Sequence, residues 1–254
     1  MSYNVSQYWE EVAQRIKSRE AGNVIAGDDE PYYVYKRKLS QDILRTFDIK
    51  DKTILELGFG AGGNLIEFAK MHPAKIYGAD RSKTMYDLSS GLMGDIPNLE
   101  LHLIQNETLP FADRSIDMVF TITVLQHNTD EKSLQKIIHE LCRVAKEKVV
   151  ISERIETPMR GDELCMGRPI AYYQNIFEAN GFYLSKVEFL KLQASYYVCG
   201  AIRKLLNPRT RREGEPLTSF SLMLQSLTLP FTKILDKIIP SHRDLAYLEF
   251  EWKK

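Results

Sequence analysis

The residues best suited to chemistry in this sequence are one acid and the four glycines that follow it. In the stretch TILELGFGAGGNLIEFAK, Glu56 precedes Gly58, Gly60, Gly62 and Gly63. The apolar residues before the glycines are typical of a buried parallel strand, and those after them recur at helical spacing. Glycines at such a turn permit a positive φ and a close approach by a ligand, and the helix N-terminus favours a negative group. The stretch therefore predicts a nucleotide-binding turn.

The glycine spacing fits two classes of cofactor. Gly58, Gly60 and Gly63 satisfy the dinucleotide pattern G-x-G-x-x-G, whereas Glu56 with Gly58, Gly60 and Gly62 reads E-x-G-x-G-x-G. The glycines alone leave both possibilities open.

A second acid lies at the end of the next apolar run, KIYGAD. Asp80 comes 22 residues after Gly58, and Arg81 and Ser82 follow it at the start of the next helical pattern. A carboxylate at the C-terminal end of a parallel strand can accept hydrogen bonds from both hydroxyls of a ribose. This acid is compatible with both cofactor classes.

A third passage, QNETLPFADRSIDMVFTITVLQHNTD, distinguishes the two classes. Its Leu109-Pro110-Phe111 and the later Ile116-Asp117 before an apolar strand resemble the region of class I S-adenosylmethionine-dependent methyltransferases that runs from the adenine loop through the fourth strand. The acid and glycines of the first stretch are similar to motif I of the same family. The resemblance covers about residues 50 to 155, and the final strand more loosely.

The resemblance implies S-adenosylmethionine as the cofactor and assigns it a set of binding residues. The glycines would admit the methionine part, Asp80 would hold the ribose, and Thr123 and Val124 would lie beside the sulfonium. Where the family has an Asp at the adenine, this chain has an amide, whose oxygen also accepts a hydrogen bond. The full implied set is Glu56, Gly58, Gly60, Gly62, Asp80, Arg81, Gln105, Asn106, Glu107, Thr123 and Val124.

His127 is the candidate catalytic residue. It follows the fourth predicted strand, at a place that in the family faces the transferred methyl group, and an imidazole with a pKa near 6.5 can accept a proton from a hydroxyl. A structural role in the turn is the alternative. Glu153 and Arg154 follow the fifth predicted strand, and we expect them to enter the same cleft, as acceptor contacts or as a salt-bridged pair.

Composition limits the class of protein. The 254 residues suffice for one doubly wound domain with additions, and Lys plus Arg equal Asp plus Glu at 34 each, which disfavours a nucleic-acid partner. The three cysteines are widely spaced, without any C-x-x-C, as expected for a cytoplasmic protein, and no metal cluster is visible. The N-terminus has no signal-peptide pattern.

The order of predicted elements indicates an α/β fold. We expect a Rossmann-like, doubly wound, seven-stranded sheet with an antiparallel last strand in a single domain. Residues 1–47 form an N-terminal helical lid over the cleft, with the alternative of ordinary packing helices. Residues 48–192 form the core, residues 193–242 a helical insertion between strands six and seven, and residues 243–254 the final strand.

The insertion combines a basic run with an apolar helix. Three uses stay open: a roof over a pocket for a bulky substrate, an interfacial helix that gives peripheral membrane contact, or a dimer contact or added core. Nothing in the sequence gives the oligomeric state.

These observations together predict methyl transfer to a small-molecule substrate. The expected acceptor is a hydroxyl of a sugar, glycan or natural product, with N-methylation or a lipid-linked acceptor as variants. A nicotinamide-dependent oxidoreductase and a non-catalytic cofactor-binding protein are the rival classes.

Overall fold

The structure is a computed structural model that describes residues 4–18, 30–105 and 107–253. Seven strands form the main sheet: β1 (Thr53–Leu57), β2 (Lys75–Asp80), β3 (Leu99–Leu103), β4 (Ile116–Ile122), β5 (Ala145–Ile155), β8 (Phe182–Phe189) and β9 (Asp244–Trp252). The helices are α1 (Val5–Lys17), α2 (Pro31–Leu44), α3 (Gly63–Ala69), α4 (Lys83–Met93), α5 (Glu131–Val144), α6 (Ile170–Ala179), α7 (Gln193–Leu206) and α8 (Ser219–Asp236).

The main sheet has the predicted topology. Its strand order is β3-β2-β1-β4-β5-β9-β8. β1 to β5 pair in parallel, and β9 runs antiparallel between β5 and β8. The direction of winding reverses between β1 and β4, so ligands are expected beyond the C-terminal ends of these strands.

Helices cover both faces of the sheet, and this explains the continuous apolar strands. Ile54 and Leu55 point to opposite faces of β1, and both are fully buried. One face packs against α6 and against the apolar stripe of α5, which includes Leu134, Ile138 and Leu141. The other face packs against α2 and α3 through Leu44, Phe68 and their neighbours. Two-sided burial fixes β1 at the centre of the fold.

α1 lies beside the glycine turn at the C-terminal edge of the sheet. Val12, Ala13 and Ile16 pack against Ala61 and Met85. The carboxylate of Glu10 accepts hydrogen bonds from the Ser82 hydroxyl at 2.7 Å and from Thr84. α1 is therefore attached to the start of α4, next to the glycine turn.

α7 and α8 form an antiparallel pair that packs on α2. Asp236, near the end of α8, accepts hydrogen bonds from the backbone N–H groups of Ala194 (2.7 Å) and Ser195 (3.1 Å) at the start of α7. The carboxylate thus caps α7, where free N–H groups favour a negative charge. No helix among the described residues is long and apolar enough to cross a bilayer.

The end of the fifth strand differs from the prediction. β4 ends at Ile122, and β5 continues past Glu153 to Ile155 because β9 pairs with it along this length. The stretch 160–169 contains a short hairpin of β6 (Arg160–Gly161) and β7 (Met166–Gly167). The extension of β5 changes the position of Glu153, as described below.

Candidate active site

A cavity of about 730 Å³ opens at the C-terminal ends of β1, β2 and β4. α1, α2 and α7 close it from the other side. Its volume lies within the range of about 300–1,000 Å³ that small-molecule sites occupy. Of the predicted site residues, the cavity is lined by Gly58, Gly60, Asp80, Arg81, Glu107, Thr123, Val124 and His127.

Each glycine of the turn is required for a different structural reason. Gly58, Gly60 and Gly62 all have positive φ, at 77°, 53° and 83°. A Cβ on Gly58 would lie 2.2 Å from Val124 Cγ2, and one on Gly62 would lie 2.2 Å from Met93 Cε. A Cβ on Gly60 would meet no atom within 4 Å. Gly58 and Gly62 thus permit packing of the turn, whereas Gly60 borders the open cavity.

Glu56 lies beneath the turn and does not line the cavity. It is 1% exposed, and its Oε1 accepts a hydrogen bond of 2.7 Å from the side-chain amide of Asn64, which does line the cavity. Burial raises the pKa of Glu56 to about 8. Its Oε2 has no hydrogen-bond partner among the described residues. Glu56 therefore does not line the cavity itself, whereas Asn64, which it holds, does.

Asp80 joins the ends of β2 and the glycine turn. Its Oδ2 accepts from the Gly60 N–H and its Oδ1 from the Ser82 N–H, each at 2.9 Å. Burial raises the pKa of this carboxyl group above its usual value. Each carboxylate oxygen has a second acceptor site, and the residue lines the cavity. Asp80 is therefore held in place and retains capacity for hydroxyl donors.

The region predicted to surround the adenine is only partly at the cavity. Glu107 lines it together with the buried Ile104. Gln105 is exposed and is not part of the wall, because β3 ends before it and the chain turns outward. Asn106 lies outside the described residues.

A sharp turn follows β4. Thr123 adopts a left-handed φ of 57°, which is uncommon for a residue other than glycine, and a single 3-10 turn spans Leu125–His127. The bend ends the strand and turns Val124 and His127 toward the cavity, which both of them line.

Glu153 holds this turn from below. Its side chain is fully buried, and its carboxylate accepts three backbone N–H groups: Oε1 from Val124 (3.1 Å) and Leu125 (2.9 Å), and Oε2 from Gln126 (2.9 Å). Burial raises its pKa to about 7, although these hydrogen bonds favour the charged form. The expectation that Glu153 enters the cleft was wrong, because β5 extends past it and it points into the core.

His127 is fixed in one tautomer by its neighbours. Its Nδ1 lies 2.8 Å from the carbonyl oxygen of Leu164, so Nδ1 carries the proton. The carboxamide of Gln126 accepts the Arg154 N–H through Oε1, which leaves its Nε2 to donate to His127 Nε2 at 3.1 Å. Burial lowers the pKa of His127, and the ring is therefore neutral at pH 7.

The wall of the cavity beyond His127 comes from α1, α2 and α7. Tyr8, Trp9, Tyr32, Tyr33 and Tyr196 supply aromatic surfaces. An ion pair lies among them, with Lys36 Nζ 2.9 Å from Asp244 Oδ2. Arg154 also lines the cavity and pairs with Glu156 at 3.1 Å.

Comparison with known proteins finds a methyltransferase domain in part of the chain. Residues 54–148 match the family described as "Methyltransferase domain". The chain is 24% identical over 208 residues to the O-methyltransferase cnsE of Penicillium expansum, which covers 79% of this chain and 68% of that protein.

A second relative is named a carboxymethyltransferase, and a similar solved structure is a methyltransferase. An 84-residue stretch is 31% identical to a tRNA U34 carboxymethyltransferase of Desulfotalea psychrophila, but it covers only 32% of this chain and 26% of that protein. The magnesium protoporphyrin IX methyltransferase of Synechocystis PCC 6803, solved with bound SAM, shares the fold with a TM-score of 0.60, 12% identity and 99% coverage of both chains.

The methyltransferase-domain match over residues 54–148 and the shared fold support a class I S-adenosylmethionine-dependent methyltransferase. Its cofactor is therefore S-adenosylmethionine, which confirms the prediction and disfavours the nicotinamide alternative. The site of this methyltransferase fits such a cofactor: open space borders Gly60, and Asp80 has unused acceptor capacity at the end of β2.

Three features of the methyltransferase site escaped sequence reasoning. Asn64 reads only as a helix residue, and the role of Glu153 depends on a strand length that periodicity does not give. Lys36 pairs with Asp244 from the far end of the chain, and no local pattern shows this contact.

Proposed function

We propose that this methyltransferase methylates a hydroxyl group of a small molecule, such as a sugar, glycan or natural product. The observation that carries the proposal is the neutral His127, which lines the cavity and directs its Nδ1 proton to the Leu164 carbonyl, so that Nε2 is the proton-accepting nitrogen. An amine that binds unprotonated needs no such base, whereas a hydroxyl must lose its proton during transfer.

Each group of residues in the cofactor site would contact a different part of the cofactor. Gly60 gives room at the turn, Asn64 presents an amide held by Glu56, and Asp80 would accept hydrogen bonds from the ribose hydroxyls. Glu107 and Ile104 would line the space for the adenine. Thr123 and Val124 would lie between the cofactor and the acceptor.

S-adenosylmethionine, when bound, supplies a methyl group already activated by a positively charged sulfur. Positioning of the acceptor oxygen in line with that group is then the main contribution of the protein. His127 Nε2 takes the acceptor proton, for which the acceptor hydroxyl displaces the Gln126 amide from the ring nitrogen. Glu153 acts on the reaction only by holding the turn that carries His127.

The far wall of the cavity supports a small-molecule acceptor. Its aromatic surfaces suit the planar face of a natural product or the apolar face of a sugar, and the Lys36–Asp244 pair offers both donors and acceptors for hydroxyl groups. The relative that covers most of this chain is named an O-methyltransferase. The relative named for tRNA matches an 84-residue stretch alone.

A methyl-transfer screen tests the proposal. The purified protein is incubated with isotopically labelled S-adenosylmethionine and panels of hydroxylated phenols, glycosides and their amine counterparts. The expected product is heavier than the acceptor by one CH₂ group and carries the label on oxygen. Transfer to amines alone would contradict the hydroxyl assignment, and transfer to RNA alone would contradict the small-molecule assignment; either result would leave methyl transfer itself in place.

A further inference from the structure

α8 is oriented with its polar residues inward. The positions buried against the rest of the protein are Ser221, Gln225, Leu229, Thr232 and Asp236, and only Leu229 among them is apolar. The outward face carries large apolar side chains, with Phe231 71% exposed and Ile238, just beyond the helix, 75% exposed. The other members of this apolar face are Phe220, Met223, Leu227, Ile234 and Leu235.

Hydrogen bonds lock this orientation. Asp236 caps α7, and the Ser195 hydroxyl donates to Asp236 Oδ2 at 2.5 Å and lies 2.8 Å from Thr232 Oγ1. At the other end of the helix, the Asn207 amide donates to Ser221 Oγ at 3.0 Å. Rotating α8 to bury its apolar face would leave these polar groups unpaired in the core, which is costly. The apolar face therefore stays outward.

A contiguous exposed apolar face of this length marks an interaction surface in a soluble domain. The apolar residues of α8 recur at three- and four-residue spacing, so they form one stripe along the helix. The exposed Leu205, at the end of α7, lies near the start of this stripe because the two helices are antiparallel and Asn207 bonds to Ser221. The earlier possibility that this face is added core is excluded by its exposure.

The charged residues on the outside of α8 and next to its ends are basic. Lys237 directly follows α8 and is exposed, Lys204 is exposed near the end of the antiparallel α7, and Lys233 lies half-buried on α8 itself. The single acid within Ser219–Asp236 is Asp236, which is 1% exposed. Basic residues flanking an apolar helix face suit a surface that is both anionic and apolar, as an anionic lipid bilayer is.

A second copy of the chain suits this face less well. A two-fold contact through α8 would bring together two surfaces of the same charge, and α8 offers no exposed carboxylate to pair with the lysines. The lysines would therefore be desolvated without partners. A bilayer places the apolar side chains among acyl chains and the lysines at the head groups.

We propose that the apolar face of α8 docks this protein onto an anionic membrane surface, with the helix lying in the plane of the interface. The neighbouring α7 contributes Tyr196, Gly200 and Arg203 to the cavity wall, so the docking face and the cavity belong to one helical unit. The inference does not depend on the proposed hydroxyl acceptor.

Vesicle sedimentation of the full chain tests the docking. Vesicles of phosphatidylcholine alone are compared with equimolar phosphatidylcholine and phosphatidylglycerol. We expect binding to the anionic vesicles, weakened by about tenfold or more by Phe231→Ser with Ile238→Ser, and by a similar factor by Lys204→Glu with Lys237→Glu. High salt should weaken binding of the wild type.

Matched controls separate docking from folding and from cofactor binding. Leu92→Ser and Lys50→Glu alter an exposed apolar side chain and an exposed lysine elsewhere on the protein, and neither should change vesicle binding. All variants should bind S-adenosylhomocysteine like the wild type, which shows that they fold. Absence of vesicle binding by a wild type that binds this cofactor product would overturn the proposal, as would a dimer that Phe231→Ser converts to monomer without any vesicle binding.

Discussion

The indole ring of Trp9 lies against the imidazole of His127, with ring centroids 4.8 Å apart and the planes at 78°. This edge-to-face contact joins the N-terminal helix to the turn after β4, which is distant in sequence. Because both residues line the cavity, α1 covers the place where transfer is proposed to occur. The contact therefore places α1 in the wall of the cavity.

Replacing Trp9 should therefore impair turnover more than folding. Trp9→Ala removes one wall of the cavity and admits water beside His127, and we expect kcat/KM to fall by about tenfold or more. Trp9→Phe keeps a ring at this place and should recover most of the activity. Equal activity of the alanine variant and the wild type would contradict a functional lid.

His127 should control the rate and not the cofactor affinity. His127→Ala is expected to lower kcat by roughly 10²–10⁴-fold, the usual contribution of a general base. Binding of S-adenosylhomocysteine, followed by calorimetry, should be nearly unchanged. His139→Ala, which alters an exposed histidine on α5, is the control and should alter neither quantity. A His127→Ala enzyme with wild-type kcat would assign the residue a structural role.

The pH profile gives an independent test of the same residue. Burial lowers the pKa of His127, so the neutral, proton-accepting form persists below the usual value of about 6.5. The acidic limb of kcat/KM should therefore fall below that pH in the wild type and be absent in His127→Ala. The same shift affects the free energy of unfolding. The contribution of His127 to it is lost as pH falls below about 6.5, because the unfolded chain then binds a proton at this histidine more readily than the folded chain does.

Glu153 should act through the turn that it holds. Glu153→Gln replaces one carboxylate oxygen by an amide that cannot accept a backbone N–H, and we expect a loss of about 1–3 kcal/mol in the free energy of unfolding. Hydrogen exchange should accelerate at residues 124–126, and turnover should fall while SAH binding is weakened less. Glu178→Gln, at an exposed position of α6, is the matched control. Unchanged exchange in the turn would contradict this role.

The raised pKa of Glu56 should make the free energy of unfolding depend on pH. Its pKa is raised to about 8 in the folded protein, whereas an unfolded glutamate titrates near 4.3. The stabilisation that comes from its proton is thus fully present below about pH 4.3 and is lost as pH rises through about 8. Urea unfolding of the wild type and Glu56→Gln should show the wild type losing stability relative to the variant over this window. Parallel curves would contradict the shift.

The sequence predicted the architecture well because its signals are local. The glycine turn, the acid at the end of KIYGAD and the apolar strands each depend on a few neighbouring residues, and the structure brings Gly60, Asp80 and Val124 to one cavity as expected. The antiparallel final strand followed from its alternation and the family resemblance.

The errors arose where tertiary pairing decides the outcome. Pairing with β9 lengthens β5 and turns Glu153 inward, and no local pattern near Glu153 shows this. Gln105 faces solvent because β3 stops before it. The inward polar face of α8 depends on Ser195 and Asp236 meeting across two helices, which the composition of the insertion alone does not reveal.

Calorimetric titration with S-adenosylhomocysteine tests the central claim most directly, namely that the cavity at Gly60 and Asp80 is the cofactor site. We predict binding with a Kd of about micromolar order for the wild type, loss of binding for Asp80→Ala, and wild-type affinity for Asp95→Ala, which removes an exposed carboxylate on the loop after α4. Undiminished binding by a folded Asp80→Ala protein would contradict the site assignment.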